Sequence, residues 1–219
     1  MDNLILPDCE TDEFTPAVIG DRALVEQLIA ERQVSGGDRF DEVWEGSYFM
    51  SPLANNEHQS LAGKLTNIFA ACTEHLPGAE VLPGANVSDQ ELDWTGNYRC
   101  PDVVVVLPGS AARDRDTHFF GGPDLCVEIV SPGDRSRAKL KFYAAVGVRE
   151  LLILDRRPWK LELYRLHDSE LRLVGVSEET SAATLSCETV DVTLQLQASG
   201  GTKPTLKVRC ERLGREWLI

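Results

Sequence analysis

Three short apolar runs, VVVV at 103–106, LCVEIV at 125–130 and LLIL at 151–154, constrain this chain more than any other feature. A strand with one wet face alternates apolar and polar residues, whereas an unbroken run has to be covered on both sides. The runs therefore predict an α/β or α+β domain, with helices packed on a mixed sheet. One residue conflicts with this pattern. Glu128 stands between Val127 and Ile129, where an unpaired carboxylate would cost several kcal/mol or be neutralised. A cation, a metal ion or a proton has to meet it.

The remaining elements are read around that sheet. A helix is expected over 16–33, with Leu24, Leu28 and Ile29 on one side, broken by Ser35-Gly36-Gly37-Asp38. Residues 40–44 and 47–50, joined by Glu45-Gly46, form a hairpin pattern. Asn55 or Asn56 caps a helix with Leu61, Leu65, Ile68, Cys72 and Leu76 at helical spacing, stopped by Pro77-Gly78. Strands are expected at 79–87, 102–107, 124–130 and 151–154. Between the last two lies a helix over about 135–146, capped by Asp134 and closed by Gly147. Residues 161–166 and 171–176 alternate as a peripheral hairpin, and further strands follow residue 185, with Gly200-Gly201 as a turn.

Composition narrows the function classes. At 42% apolar and 26% charged residues in 219, the chain can close a sizeable core. No apolar stretch reaches the roughly 20 residues of a membrane helix. The acidic start MDNLILPDCE is unlike an export signal, so a cytoplasmic location is expected. The six cysteines lack metal-ligand spacing, and Cys72 and Cys126 fall at core positions that suit reduced thiols. The net charge of −13, from 35 acids and 22 bases, argues against tight, promiscuous coating of DNA. Motifs of serine hydrolases, phosphate loops and HExxH zinc sites are absent.

Asp102 opens one apolar strand and Glu128 falls late in another. If the two strands are antiparallel neighbours, the start of one lies beside the end of the other. Alternation groups Glu128 with Cys126 and Val130, and Asp102 with Val104 and Val106. Two carboxylates at one spot need a cation, and hard oxygen ligands favour Mg²⁺ or Mn²⁺. Such an ion activates water and stabilises charge on a phosphoryl oxygen. Lys139 and Lys141 on the next helix could supply a further positive charge, and Lys139 shares a helix face with Tyr143.

These segments, RCPDVVVV, GGPDLCVEIVSP and KLKFYAAVGVRELLILD, resemble the Uma2 family of PD-(D/E)XK endonuclease-like proteins. FDEVWEGSYFMSP is similar to the family's leading hairpin and NEHQSLAGKL to its first core helix, so the likeness spans roughly residues 38–176. The resemblance implies a restriction endonuclease-like core: a mixed sheet flanked by helices, with extra β-hairpins. The nuclease domain is expected over 38–190, with a leader and helix over 1–37 and a β extension over 191–219 packed on that domain, both lying outside the likeness.

The resemblance further implies that Asp102 and Glu128 bind Mg²⁺ or Mn²⁺ together with the Ile129 carbonyl. Lys139 would take the lysine role that Val130 cannot fill, and His58 would contact metal or phosphate. DNA is the implied substrate, and a homodimer would cut two strands. The alternative is a nuclease fold without turnover, serving as an interaction or regulatory module.

Plainer roles stand beside these. Asp102 could accept turn N–H bonds, Glu128 could pair with Arg135 or Lys139, and His58 could be an inward first-turn residue. Glu57 suits a helix N-terminus. Asp124 opens a strand, Asp155 makes a turn and Tyr143 packs in the core. Lys141, Arg135 and Arg137 are expected to be solvated.

Overall fold

The computed structural model describes residues 22–51, 54–131, 135–181, 183–201 and 203–219. In chain order, α1 (Arg22–Ser35) leads to the hairpin β1 (Glu42–Trp44) and β2 (Ser47–Phe49), then α2 (Asn56–Thr73), β3 (Glu80–Pro83), β4 (Val87–Ser88) and β5 (Tyr98–Arg99). β6 (Val103–Val106), β7 (Arg113–Asp114), β8 (Phe119–Phe120) and β9 (Leu125–Ile129) precede α3 (Leu140–Val146) and β10 (Glu150–Arg156). The chain closes with β11 (Trp159–His167), β12 (Glu170–Glu178), β13 (Leu185–Cys187), β14 (Val192–Gln197), β15 (Thr205–Cys210) and β16 (Arg215–Leu218).

The apolar runs form the middle of a mixed sheet ordered β12-β11-β10-β9-β6-β3, in which only β9 and β10 are parallel. Both faces are covered, as unbroken apolar strands require. Val103, Val105, Val127 and Ile129 pack on one side in a core with Leu65 and Phe69 of α2 and Leu194 and Val208 of the last sheet. Val104, Cys126, Leu151 and Ile153 pack on the other with Phe142 and Tyr143 of α3 and Phe119 of β8. That second side also carries a smaller sheet, β2-β1-β5-β4-β8-β7. The last sheet, β13-β14-β15-β16, is a simple antiparallel meander.

Several sequence expectations are refined. Glu45 and Gly46 both have positive φ in the β1–β2 turn, which fits the right-handed strand twist. Asn55 caps α2, its side chain accepting from His58 N–H. The helix ends at Thr73, before Leu76; Leu76 N–H instead bonds Thr73 C=O in a turn, since the residue preceding a proline avoids the helical region.

The strand expected over 79–87 is two strands in different sheets. Gly84 divides them at φ +62°, and a Cβ there would fall 2.5 Å from the Phe40 ring. Before α3 the chain makes a 3₁₀ turn, Ser136–Lys139, so the expected helix is regular only from Leu140; Asp134 lies outside the described residues. Gly147 closes α3 at φ +91°. α1 starts at Arg22 within the described residues and leaves Leu24 exposed, so its apolar side is only partly covered. Among the described residues no helix is long and apolar enough to cross a membrane. Cys72, Cys100, Cys126, Cys187 and Cys210 are free and buried.

Candidate active site

β6 and β9 are antiparallel neighbours whose register pairs Val103 with Val127, so Asp102 and Glu128 stand one step beyond that pair. Asp102 N–H donates to Val127 C=O at 2.9 Å, and Ile129 N–H donates to the Asp102 carboxylate at 2.7 Å. Glu128 follows the expected alternation, on the side of Cys126 and Ile153 where α3 lies. His58 reaches Asp102 from the first turn of α2, with Nε2 3.2 Å from Oδ1.

Glu128 is almost completely buried, at 2% exposure, and the burial conflict in the sequence is resolved by a lysine and a tyrosine. Lys139 Nζ lies 3.0 and 2.9 Å from the two Glu128 oxygens, and Tyr143 Oη donates to Oε1 at 2.5 Å. The 3₁₀ turn followed by the first turn of α3 sets Lys139 and Tyr143 on one side. Burial, and then the Glu128 charge, hold the Tyr143 phenol far above its ordinary pKa, so it remains a donor.

A second acid holds the same lysine. Glu42, in β1, accepts from Lys139 Nζ at 2.8 Å, from Cys100 N–H at 2.8 Å and from Trp44 Nε1 at 2.7 Å. It was not singled out in the sequence, although an acid between Phe40 and Val43-Trp44 carries the same burial conflict as Glu128. Arg99 supports this corner from behind, its guanidinium lying 4.5 Å from the Trp44 ring and 4.2 Å from the Phe142 ring.

Glu42, His58, Asp102, Glu128 and Lys139 line one cavity of about 390 Å³, together with Arg39. The other residues considered lie elsewhere or do other work. Glu57 pairs with Arg156 and Lys203, and the Lys203 hydrogen bond first of all lowers its pKa against the effect of burial. Asp124 accepts from Leu107 N–H and pairs with Arg149, and Asp155 accepts from Arg157 N–H in its turn. Lys141 is exposed. Arg137, expected to be solvated, pairs with Glu162 and Asp155; Arg135 lies 5.3 Å from the Phe49 ring.

Asp102 and Glu128 line the same cavity, and the Asp102 carboxylate also meets the Ile129 main chain; carboxylate oxygens are the donor type that Mg²⁺ or Mn²⁺ takes while keeping several waters. The Glu128 oxygens already accommodate positive charge in the form of the Lys139 ammonium. Among the described residues no group of three or more His, Cys, Asp or Glu side chains is arranged to hold a metal ion. His58 Nδ1 is buried and has no hydrogen-bond partner among the described residues.

No curated protein matches the sequence. The fold is similar to the crystal structure of a "putative nuclease belonging to DUF820" from Anabaena variabilis ATCC 29413, with TM-score 0.54 and 16% identity over 68% of this chain and 82% of that one. At that identity the likeness is one of fold. The sequence itself matches the family model Uma2, described as "putative restriction endonuclease", over residues 28–198. Lys139 and the strand-borne acids thus sit in a fold shared with the Anabaena variabilis protein, and the chain belongs to the Uma2 family.

Proposed function

We propose that the protein is a Mg²⁺- or Mn²⁺-dependent endonuclease that hydrolyses DNA phosphodiester bonds in this cavity. The observation that carries the reading is the convergence of Asp102, Glu128, Lys139 and His58, from four separate segments, on one opening. Asp102, Glu128 and the Ile129 carbonyl would hold the ion, which supplies Lewis acidity towards a phosphoryl oxygen and a water. Lys139, released from Glu128 but still held by Glu42, presents a fixed positive charge to the phosphorane-like transition state. His58 holds Asp102 through Nε2, while its buried Nδ1 has no hydrogen-bond partner among the described residues.

Cleavage of single-stranded and duplex DNA in Mg²⁺ and in Mn²⁺ tests the proposal. Glu128→Ala and Lys139→Ala should each lower kcat by about 10²-fold or more, the scale of removing one preorganised charge-stabilising group. Equal cleavage by wild type and Glu128→Ala would defeat it.

Net charge favours a second reading, a nuclease fold that binds partners without turnover. At −13 the surface as a whole repels nucleic acid, and fold alone does not fix function. Calorimetric titration with Mn²⁺ separates the two: hydrolysis requires binding that Asp102→Ala weakens, and the module requires none. Duplex cutting would further call for a homodimer, which sedimentation at assay concentrations would reveal.

A further inference from the structure

A second cavity, of about 470 Å³, adjoins the first, with Arg39 and Gly84 lining both. Its lining differs in kind. Tyr48, Trp94 and Tyr98 present half-buried rings, accompanied by the polar side chains of Gln33, Asp38 and Asn86.

The rings are held rigidly. Trp94 stacks on His118 with centroids 4.9 Å apart and planes 14° apart, and meets the Tyr98 ring edge-on at 5.0 Å. Tyr48 is fixed through its hydroxyl, which donates to Asp41 at 2.7 Å, and Asp41 is in turn clamped by Arg32. Asn86 is anchored by donation from Nδ2 to Thr117 C=O, leaving its Oδ1 as an acceptor.

We propose that this cavity is a nucleobase subsite, which takes one unpaired base of the strand whose neighbouring phosphate enters the Asp102–Glu128–Lys139 cavity. The proposal rests on the nuclease reading and specifies its substrate class. Aromatic faces stack on any base and so tolerate sequence. Asp38, Gln33 and Asn86 can meet the donors and acceptors of a base edge. Arg39, exposed at the junction of the two cavities, lies where the connecting sugar-phosphate would pass. A base inside a walled cavity has left its duplex, so single strands, frayed ends and overhangs are favoured over blunt duplex.

Fluorescence anisotropy of the full chain in EDTA, which prevents turnover, tests this with three short probes: a single strand, an abasic strand of equal length, and a blunt duplex. The single strand should bind about tenfold more tightly than the abasic strand, the effect of stacking one base, and more tightly than the duplex. Trp94→Ala should erase the difference, and Trp94→Phe should retain most of it. Equal affinity for base-containing and abasic strands would overturn the subsite, as would absence of binding or a base preference that survives in folded Trp94→Ala.

If Trp94→Ala fails to fold, the wild-type comparison and Trp94→Phe still decide. Base preference without cleavage in Mg²⁺ or Mn²⁺ would leave the subsite standing and remove the hydrolytic reading. Cleavage without base preference would do the reverse.

Discussion

Lys139 is the cation that two buried acids share. One ammonium at 7% exposure sits between Glu42 and Glu128, themselves 5% and 2% exposed. Removing one member of a buried ion pair leaves its partner unpaired and costs about 3–5 kcal/mol. Lys139→Ala is therefore expected to lower the melting temperature by roughly 10 °C, at about 2–4 °C per kcal/mol for a chain of this size. Tyr143→Phe removes one donor to Glu128 while the lysine remains, so the loss should be smaller, about 1.5–3 kcal/mol. Urea denaturation of the two variants checks the order. A larger loss for Tyr143→Phe would mean that the lysine is not the main partner of Glu128.

Among the elements, β10 shows how one carboxylate joins two sheets. Glu150 opens β10 at 1% exposure and accepts from Arg165 of β11 at 2.8 Å. It also accepts from Thr189 N–H and Oγ1, each at 2.8 Å, and from Cys187 Sγ at 3.2 Å, which ties β10 to the last sheet. Burial pushes the Glu150 pKa up, but the hydrogen bonds from Thr189, Arg165 and Cys187 outweigh it and leave the pKa below the ordinary value. A depressed carboxyl contributes stability above its unfolded pKa and loses it as pH falls through the folded value. Glu150→Gln should thus destabilise the protein at pH 7, and the difference from wild type should shrink as pH falls below the ordinary carboxyl range. Thermal melts across that range would show the two curves converging; parallel curves would refute this account of the junction.

Close backbone approach sets another element. Gly122, in the GGPD stretch before β9, has no room for a side chain, because a Cβ would fall 2.3 Å from Gly147 C and Val148 N. That contact seats the end of α3 against the start of β9. It thereby helps to aim the other end of the α3 segment, with Lys139, at Glu128.

For the whole molecule, the question is what covers the central sheet. Leu152, Leu154, Leu161 and Leu163 share one core with Leu185, Val192, Leu194, Leu206 and Val208 of the last sheet. Burial of a large aliphatic side chain stabilises by about 1.5–3 kcal/mol, so uncovering several exceeds the margin of a typical domain. A chain ending at residue 184 is therefore expected not to fold. Near-ultraviolet circular dichroism and a cooperative melt are the measurements, and a cooperative melt in the truncated chain would show the last sheet to be dispensable.

Much of this was legible in the residues. Unbroken apolar runs predicted a sheet covered on both faces, and period-2 alternation placed Glu128 on the side of Cys126. The Lys139–Tyr143 spacing foretold that both would face one way. Local signals such as Asn55, Glu45-Gly46 and Gly147 marked ends and turns, because caps and positive-φ turns depend on a few adjacent residues.

Lys139 was among the partners the sequence offered Glu128, but the second acid on that lysine was not legible. Glu42 lies 97 positions from Lys139, so its apolar neighbours mark a burial conflict but nothing local names the lysine as its partner. The division of residues 79–87 into two sheets depended on Phe40 meeting Gly84, which only folding brings about. The sequence by itself determined which strands must be buried, which side Glu128 takes and that a cation, a metal ion or a proton had to meet it. Only the tertiary structure decided that this cation is a lysine shared with Glu42 and that an aromatic cavity opens beside it. Burial and alternation are properties of neighbouring residues, whereas a charge is matched by whatever distant segment the packed sheet brings within hydrogen-bond range.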